Sequence, residues 1–249
     1  MSNRQVVLKR HPNGIPVPED FDLIERSIAE PDDGQMLVRN LFFSLEAAIR
    51  SWLDGKANYF EPIPLGGAIR GPSVARVVKS HLAGFEVGDL IFGLHYWEDY
   101  SLSDANTILL SKLSPEPDIP LSYYSGGLGG SGHTAYVGLH EIGKIQSGET
   151  VLISAAAGAT GSMAIQIAKL RGCNVVGIVG SDEKAALVTD TLGADAALNY
   201  KTCGDLTAAI AQACPEGVDV YFDNVGGTTL NAALACMNTF GRVIGCGMI

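Results

Sequence analysis

Up to about residue 115, hydrophobic residues come in short runs separated by turn formers. Met36-Leu-Val-Arg-Asn-Leu-Phe-Phe43, Ser73-Val-Ala-Arg-Val-Val78 and Asp89-Leu-Ile-Phe92 are rich in β-branched and aromatic side chains, and Gly, Pro, Asn and Asp punctuate them. Such side chains suit a pleated, half-buried surface, so the runs predict short strands and a mostly β first half. Gly88-Asp89 predicts a tight turn. Pro115-Glu-Pro-Asp-Ile-Pro120 reads as an extended connection and places a domain boundary near residue 120.

Beyond that point the period changes. Thr150-Val-Leu-Ile-Ser-Ala155 is an apolar strand that meets a glycine-rich turn. Ser162–Leu170 then repeats apolar residues at helical spacing, with Gly172 as its stop. Asn174–Val179 predicts a second apolar strand, and Ser181 caps a helix running to about Leu192. Strand 196–199, helix 206–213, strand 218–223, helix 230–237 and strand 242–245 follow. Strands apolar on both faces and alternating with helices predict an α/β fold with a parallel sheet covered on both sides.

Charge and composition narrow the function classes. The net charge is −10, and no stripe of Lys or Arg runs along the chain, so neither nucleic acid nor an anionic membrane is an expected partner. No apolar run is long enough to span a bilayer, and the N-terminus lacks a secretory signal pattern. The expected location is cytoplasmic. The five cysteines, at 173, 203, 214, 236 and 246, form no C-x-x-C pair, so a disulfide framework or zinc ribbon is not expected. The histidines form no metal-binding pair at helical spacing. His95 with Glu98 is read as part of a surface loop.

The chemistry concentrates at Ala156-Ala-Gly-Ala-Thr-Gly161, between the first apolar strand of the second half and its helix. It is an A-x-G-x-x-G form of the dinucleotide fingerprint. Gly158 lets the backbone approach a pyrophosphate, Gly161 lets helix and strand pack closely, and the helix N-terminus offers amide donors. The next strand ends in Gly180-Ser-Asp-Glu-Lys184. Asp182 is a candidate for the ribose-binding acid, but it also suits the helix dipole where it stands. Lys184 falls where the dipole disfavours a cation. Either an adenosine 2′-phosphate reverses that sign, or Lys184 is a solvated surface residue. The residues alone leave both open.

These stretches resemble the zinc-independent medium-chain dehydrogenase/reductases, in the branch of NADPH-dependent alkenal/one and 15-oxoprostaglandin 13-reductases that includes curcumin-reductase-like enzymes. The likeness is carried by Gly148–Gly161, Gly177–Lys184, Leu198-Asn-Tyr-Lys-Thr202 and Val218–Gly227, and in the first half by Phe85–Gly93 and Gly129–Tyr136. The resemblance implies a GroES-like β-barrel domain over 1–120 and a Rossmann domain with five of six strands over 121–249. It implies NADPH as cofactor and an enone or enal as substrate, reduced at its C=C bond, with a homodimer for the complete protein. It places the pyrophosphate on Gly158, Ala159, Thr160 and Gly161, and the 2′-phosphate beside Ser181, Lys184 and Tyr200. Asn224, Cys246, Gly247 and Met248 would flank the ribose and nicotinamide. Arg50, Tyr96, Trp97 and Tyr136 are candidates to line the substrate pocket, and no catalytic residue is assigned.

Zinc-dependent relatives carry a Gly-His-Glu segment and a cysteine-rich lobe. Here the corresponding segment reads Gly66-Gly-Ala-Ile-Arg-Gly71, and the first cysteine is Cys173, so no metal is expected. The sequence departs from the branch in three places. Ala48 replaces a pocket tyrosine, His133 replaces an aliphatic residue, and the chain stops at Gly247-Met-Ile249, at the fifth Rossmann strand. That stop sets an expectation of truncation with weak or no turnover, and an alternative: a nucleotide-binding remnant without catalysis. A short-chain dehydrogenase does not fit, because no tyrosine has a lysine four residues on. A serine hydrolase does not fit either, because His133 follows Ser131 where glycine is needed.

Overall fold

In the computed structural model, which describes residues 2–56 and 60–247, the chain divides into two compact units between Gly126 and Gly127. The first is built from β1 (Ser2–Leu8), β2 (Phe21–Ser27), β3 (Gln35–Phe43), the short helix α1 (Ile49–Trp52), β4 (Arg70–Ser80), β5 (Leu90–Tyr96), β6 (Tyr100–Asp104) and β7 (Ser111–Leu113). β1 and β2 pair antiparallel, and the other strands form an antiparallel sheet in the order β6-β3-β4-β5-β7. The predicted turn before β5 closes through Gly88, at φ 98°, and through Asp89, whose carboxylate accepts from the Glu86 amide at 2.7 Å. Met36, Val38, Ala75, Val77 and Ile91 make one small core, and Leu8, Ile49, Trp52, Leu53, Ile63 and Ile69 make another.

The second unit begins with α2 (Gly130–Val137) and alternates thereafter: β8 (Thr150–Ile153), α3 (Ala159–Leu170), β9 (Asn174–Val179), α4 (Asp182–Ala186), β10 (Ala196–Asn199), α5 (Leu206–Ala213), β11 (Val218–Asp223), α6 (Gly227–Leu234) and β12 (Met237–Gly245). The five strands are parallel, in the order β10-β9-β8-β11-β12. This is the expected doubly wound α/β sheet. The inner strands β8, β9 and β11 are mostly apolar because both faces are covered, whereas β12 carries Asn238 and Arg242 and leaves Phe240 exposed. Val151, Ile153, Val175, Val179, Val220 and Phe222 face one core with Ala164, Ile165 and Ala168 of α3. Leu152, Val176, Ile178 and Tyr221 face the other, with Ile210 of α5 and Ala232 and Ala233 of α6.

Two expectations need correction. The last helix was expected over 230–237, but α6 spans Gly227–Leu234 and Met237 already belongs to β12. Gly226, at φ 74°, caps the helix and lets it start early, while Met237 pairs with Val218 across a bulge. His95 is not on a surface loop. It lies on β5 at 1% exposure. Its Nδ1 is 2.8 Å from Ser73 Oγ, whose own proton goes to Asn40 Oδ1 at 2.9 Å, so Nδ1 donates. Nε2 is then left to accept from Ser103 Oγ at 3.2 Å. Burial holds the ring neutral, with its pKa pushed down to about 4. Glu98 is buried as well, accepting from Asn3 Nδ2 at 3.0 Å, from Ser101 Oγ at 2.7 Å and from Gln5 Nε2.

Candidate functional site

The A-x-G-x-x-G run lies at the C-terminal end of β8, the middle strand, where the order of connection reverses. Open α/β sheets bind their ligands at such a point. Ser154 to Ala157 turn the chain, and Ala155 takes φ 46°, a left-handed conformation that a residue with a Cβ adopts at a cost of roughly 1–2 kcal/mol. Two contacts hold it there. The Gly158 amide donates to Ala155 O at 2.8 Å. Gly161 packs so close that a Cβ on it would sit 2.3 Å from the same oxygen. Gly158 is the N-cap of α3 and has no side chain to cap it. Ser162 N bonds back to Gly158 O at 2.8 Å. The amides of Ala159, Thr160 and Gly161 precede that first helical bond and remain open for an anion. The cradle therefore fits a pyrophosphate on its own geometry.

The ends of β9 and β10 lie side by side next to it. Ser181 caps α4, its Oγ accepting from Lys184 N at 3.3 Å. Lys184 is exposed and makes no ion pair among the described residues. Tyr200 follows β10. Its amide donates to Val179 O at 3.0 Å, its ring covers Gly180, and it stays 49% exposed. Asp182, the other candidate at this end, is engaged elsewhere: its Oδ1 accepts from Asn199 Nδ2 at 2.7 Å.

On the other side of the cradle, Asn224 leaves β11 and is fastened to Ser154 twice, from its amide to Ser154 Oγ and from Nδ2 to Ser154 O, each at 2.8 Å. The amides of Cys246 and Gly247 both donate to Asp223 O at 2.9 Å. Burial pushes the Cys246 thiol up, which makes it a poor nucleophile. Met248 lies outside the described residues. Gly158, Ala159, Thr160, Gly161, Asn224, Cys246 and Gly247 thus share one edge of the sheet, with Ser181, Lys184 and Tyr200 at its next strand ends. Two residues that organise this edge were missed in the sequence. Ser154 is the hydroxyl inside an apolar run. Asp223, buried at the end of β11, accepts from Tyr221 Oη at 2.8 Å and from the Val225 and Gly226 amides at 3.1 and 2.8 Å.

The substrate-lining candidates are dispersed. Arg50 is committed locally, to Gly14 O at 2.9 Å and to Asp54. Tyr96 lines a cleft of about 530 Å³ within the first unit, with Asn3, Gln5, Arg70 and Glu98. Trp97 packs against the Leu8 and Ile49 cluster, and its Nε1 is buried with no hydrogen-bond partner among the described residues. Tyr136, in the second unit, is exposed on α2 with its ring 4.6 Å from that of His140, and His133 is exposed one turn earlier. Among the described residues no group of three or more His, Cys, Asp or Glu is placed to hold a metal ion. Among them, too, no helix is long and apolar enough to cross a membrane.

Comparison with known proteins gives a consistent result. Residues 4–110 match a family described as the N-terminal domain of oxidoreductase, and residues 159–249 one described as zinc-binding dehydrogenase. The chain is 40% identical over 247 residues to an NADPH-dependent curcumin reductase of Escherichia coli, covering 99% of this chain and 70% of that one. It is 42% identical over 254 residues to an NADP(+)-dependent 2-alkenal reductase of Nicotiana tabacum, covering 100% of this chain and 73% of the relative. The crystal structure of CurA from Vibrio vulnificus in complex with NADPH superposes with a TM-score of 0.88 at 39% identity, over 96% of this chain and 70% of that one.

Proposed function

The chain belongs to the medium-chain dehydrogenase/reductases, in the branch of NADPH-dependent enone and alkenal reductases, and from that premise we propose how its own residues serve the reduction of an activated C=C bond. NADPH, when bound, supplies the hydride that the β-carbon of an α,β-unsaturated ketone or aldehyde receives, and a proton completes the reduction at the α-carbon.

The amides of Ala159, Thr160 and Gly161 hold the pyrophosphate, with Gly158 leaving them uncovered. Lys184 and Tyr200 take the 2′-phosphate, with Ser181 fixing the first turn of α4 that carries Lys184. Asn224, Cys246, Gly247 and Met248 flank the ribose and nicotinamide. Residues 1–120 serve as the substrate domain and 121–249 as the nucleotide-binding domain. Within the first unit, Arg50, Tyr96 and Trp97 are the proposed pocket residues, and the local ties of Arg50 make it the weakest of the three. The chemistry is read as zinc-free because the donor set is wrong: Gly66–Gly71 offers neither His nor Glu, and no cysteine precedes Cys173. A reducing, cytoplasmic setting agrees with five free cysteines, among which burial raises the thiols of Cys173, Cys214, Cys236 and Cys246. For the complete protein we propose a homodimer, as the family resemblance implies.

The observation that carries the cofactor assignment is Lys184, exposed and without an ion pair among the described residues, on the helix that follows the β9 end covered by the Tyr200 ring. NADPH should bind more tightly than NADH, and Lys184→Ala should lose about tenfold in NADPH affinity with NADH unchanged. Calorimetric titration reads both, and equal affinity for the two cofactors would sink the assignment. NADPH consumption with a simple enone, and none with the matching saturated ketone, tests the reaction.

A further inference from the structure

The first turn of α4 poses an electrostatic problem. It carries Asp182 and Glu183 immediately before Lys184, all three exposed. Carboxylates suit a helix N-terminus, but next to a 2′-phosphate a free carboxylate repels the ligand that Lys184 attracts. A carboxylate at this end of the sheet is also the group that selects NAD, by accepting from the ribose 2′-hydroxyl.

The structure disposes of one of the two. Asn199, the last residue of β10, donates from Nδ2 to Asp182 Oδ1 at 2.7 Å. Its Oδ1 accepts from the Lys201 amide at 3.2 Å. Nδ2 is therefore the atom free to point at Asp182, and the side chain bridges α4 to the turn that carries Tyr200. The same corner leaves little room for an acid at the strand end itself. A Cβ on Gly180 would sit 3.1 Å from Tyr200 Cε1 and 3.3 Å from its hydroxyl. A side chain there would press on the ring and push it aside by a few tenths of an ångström.

We propose that Asn199 is a specificity-determining positioning residue: by holding the Asp182 carboxylate it keeps that charge out of the 2′-phosphate site and so sustains preference for NADPH over NADH. The proposal rests on the NADPH reading above and deepens it. Asn199 acts only through Asp182.

A titration series on the full chain separates the possibilities. Wild type, Asn199→Ala, Asn199→Ser, Asp182→Asn and the double variant Asp182→Asn/Asn199→Ala are titrated calorimetrically with NADPH and NADH. Adenosine 2′,5′-bisphosphate and 5′-ADP serve as fragments that lack the nicotinamide. Releasing one carboxylate near a phosphate should weaken NADPH and the 2′,5′-bisphosphate by roughly three- to tenfold at low salt, with NADH and ADP unchanged. In the double variant, neutralising Asp182 should restore the NADPH affinity. Asn199→Ser, too short to reach Asp182, should behave as Asn199→Ala does. An equal loss for NADPH and NADH would make Asn199 merely structural and overturn the proposal. So would a double variant as weak as Asn199→Ala, or an Asn199→Ala preference equal to wild type. A wild-type chain with no NADPH preference would instead overturn the cofactor reading, and the proposal with it.

Discussion

The two units solve the burial of polar groups in opposite ways. In the second, both faces of the parallel sheet are packed by aliphatic and aromatic side chains, and its buried polar side chains, Thr150, Ser154 and Asp223, stand at strand ends. In the first, hydrogen bonds run through the interior from Asn3 and Glu98 by way of Ser101, Asn40, Ser73 and His95 to Ser103, which lies 3.0 Å from Thr107 Oγ1. An apolar interior is stabilised by area and shape, so it responds to lost volume and hardly to pH. A polar interior depends on each group keeping its partner and its protonation state. Both tryptophans, Trp52 and Trp97, belong to the first unit, and every helix of eight residues or more belongs to the second. Tryptophan fluorescence and far-UV dichroism can therefore follow the two separately.

The largest expected contrast comes from Phe222→Ala. Phe222 is fully buried, and the truncation should cost about 3–5 kcal/mol in a denaturant titration followed by dichroism. A loss below about 1 kcal/mol would mean that this core tolerates voids and that the contrast is misdrawn.

Next is acid sensitivity confined to the first unit. The folded state keeps His95 neutral with a pKa near 4, whereas the unfolded chain takes up a proton below 6.5. The stability it contributes is complete above pH 6.5 and is lost as the pH falls toward 4, to a total of about 3 kcal/mol. The fluorescence transition should move across that window while the dichroism transition moves less. Identical shifts in both probes would remove His95 as the cause.

Gly161→Ala forces a methyl against Ala155 O and should cost about 2 kcal/mol while weakening NADPH binding, measured by denaturation and calorimetry on one preparation. Wild-type affinity in that variant would show that the turn yields without disturbing the cradle. The smallest effect concerns Arg242 and Glu149, a two-pronged pair at 2.7 and 2.8 Å at the edge of the second unit. Both side chains are partly solvated, so a double-mutant cycle should give about 1 kcal/mol or less, shrinking in salt.

The contrast also explains what the sequence made legible. β9, β10, α5 and β11 occupy the residues that periodicity marked, because strands covered on two faces are apolar at most positions and the helix between them repeats apolar residues at helical spacing. The phosphate turn was legible because its glycines sit between a strand and a helix. His95-Tyr-Trp-Glu98 misled because a polar pair in a run of mixed character looks solvated. Only the serines and asparagines supplied by β1, β3, β4 and β6 make its burial affordable. The early start of α6 was hidden by Gly226-Gly-Thr-Thr, which reads as a loop until Gly226 is seen capping a helix. The pairing of Asn199 with Asp182 joins two elements 17 residues apart, and no local pattern encodes such a contact.

The strand order also governs how the nucleotide-binding unit assembles. β8 pairs with β9, its neighbour across one helix, and also with β11, so that Ser154 meets Asp223 across 69 residues of chain. Loop closure over that length is slow compared with local pairing. The turn at Gly158 can form with β8, α3 and β9 alone, whereas the edge carrying Asn224 forms only after β11 has docked. Full NADPH affinity therefore requires that this long-range pairing be in place.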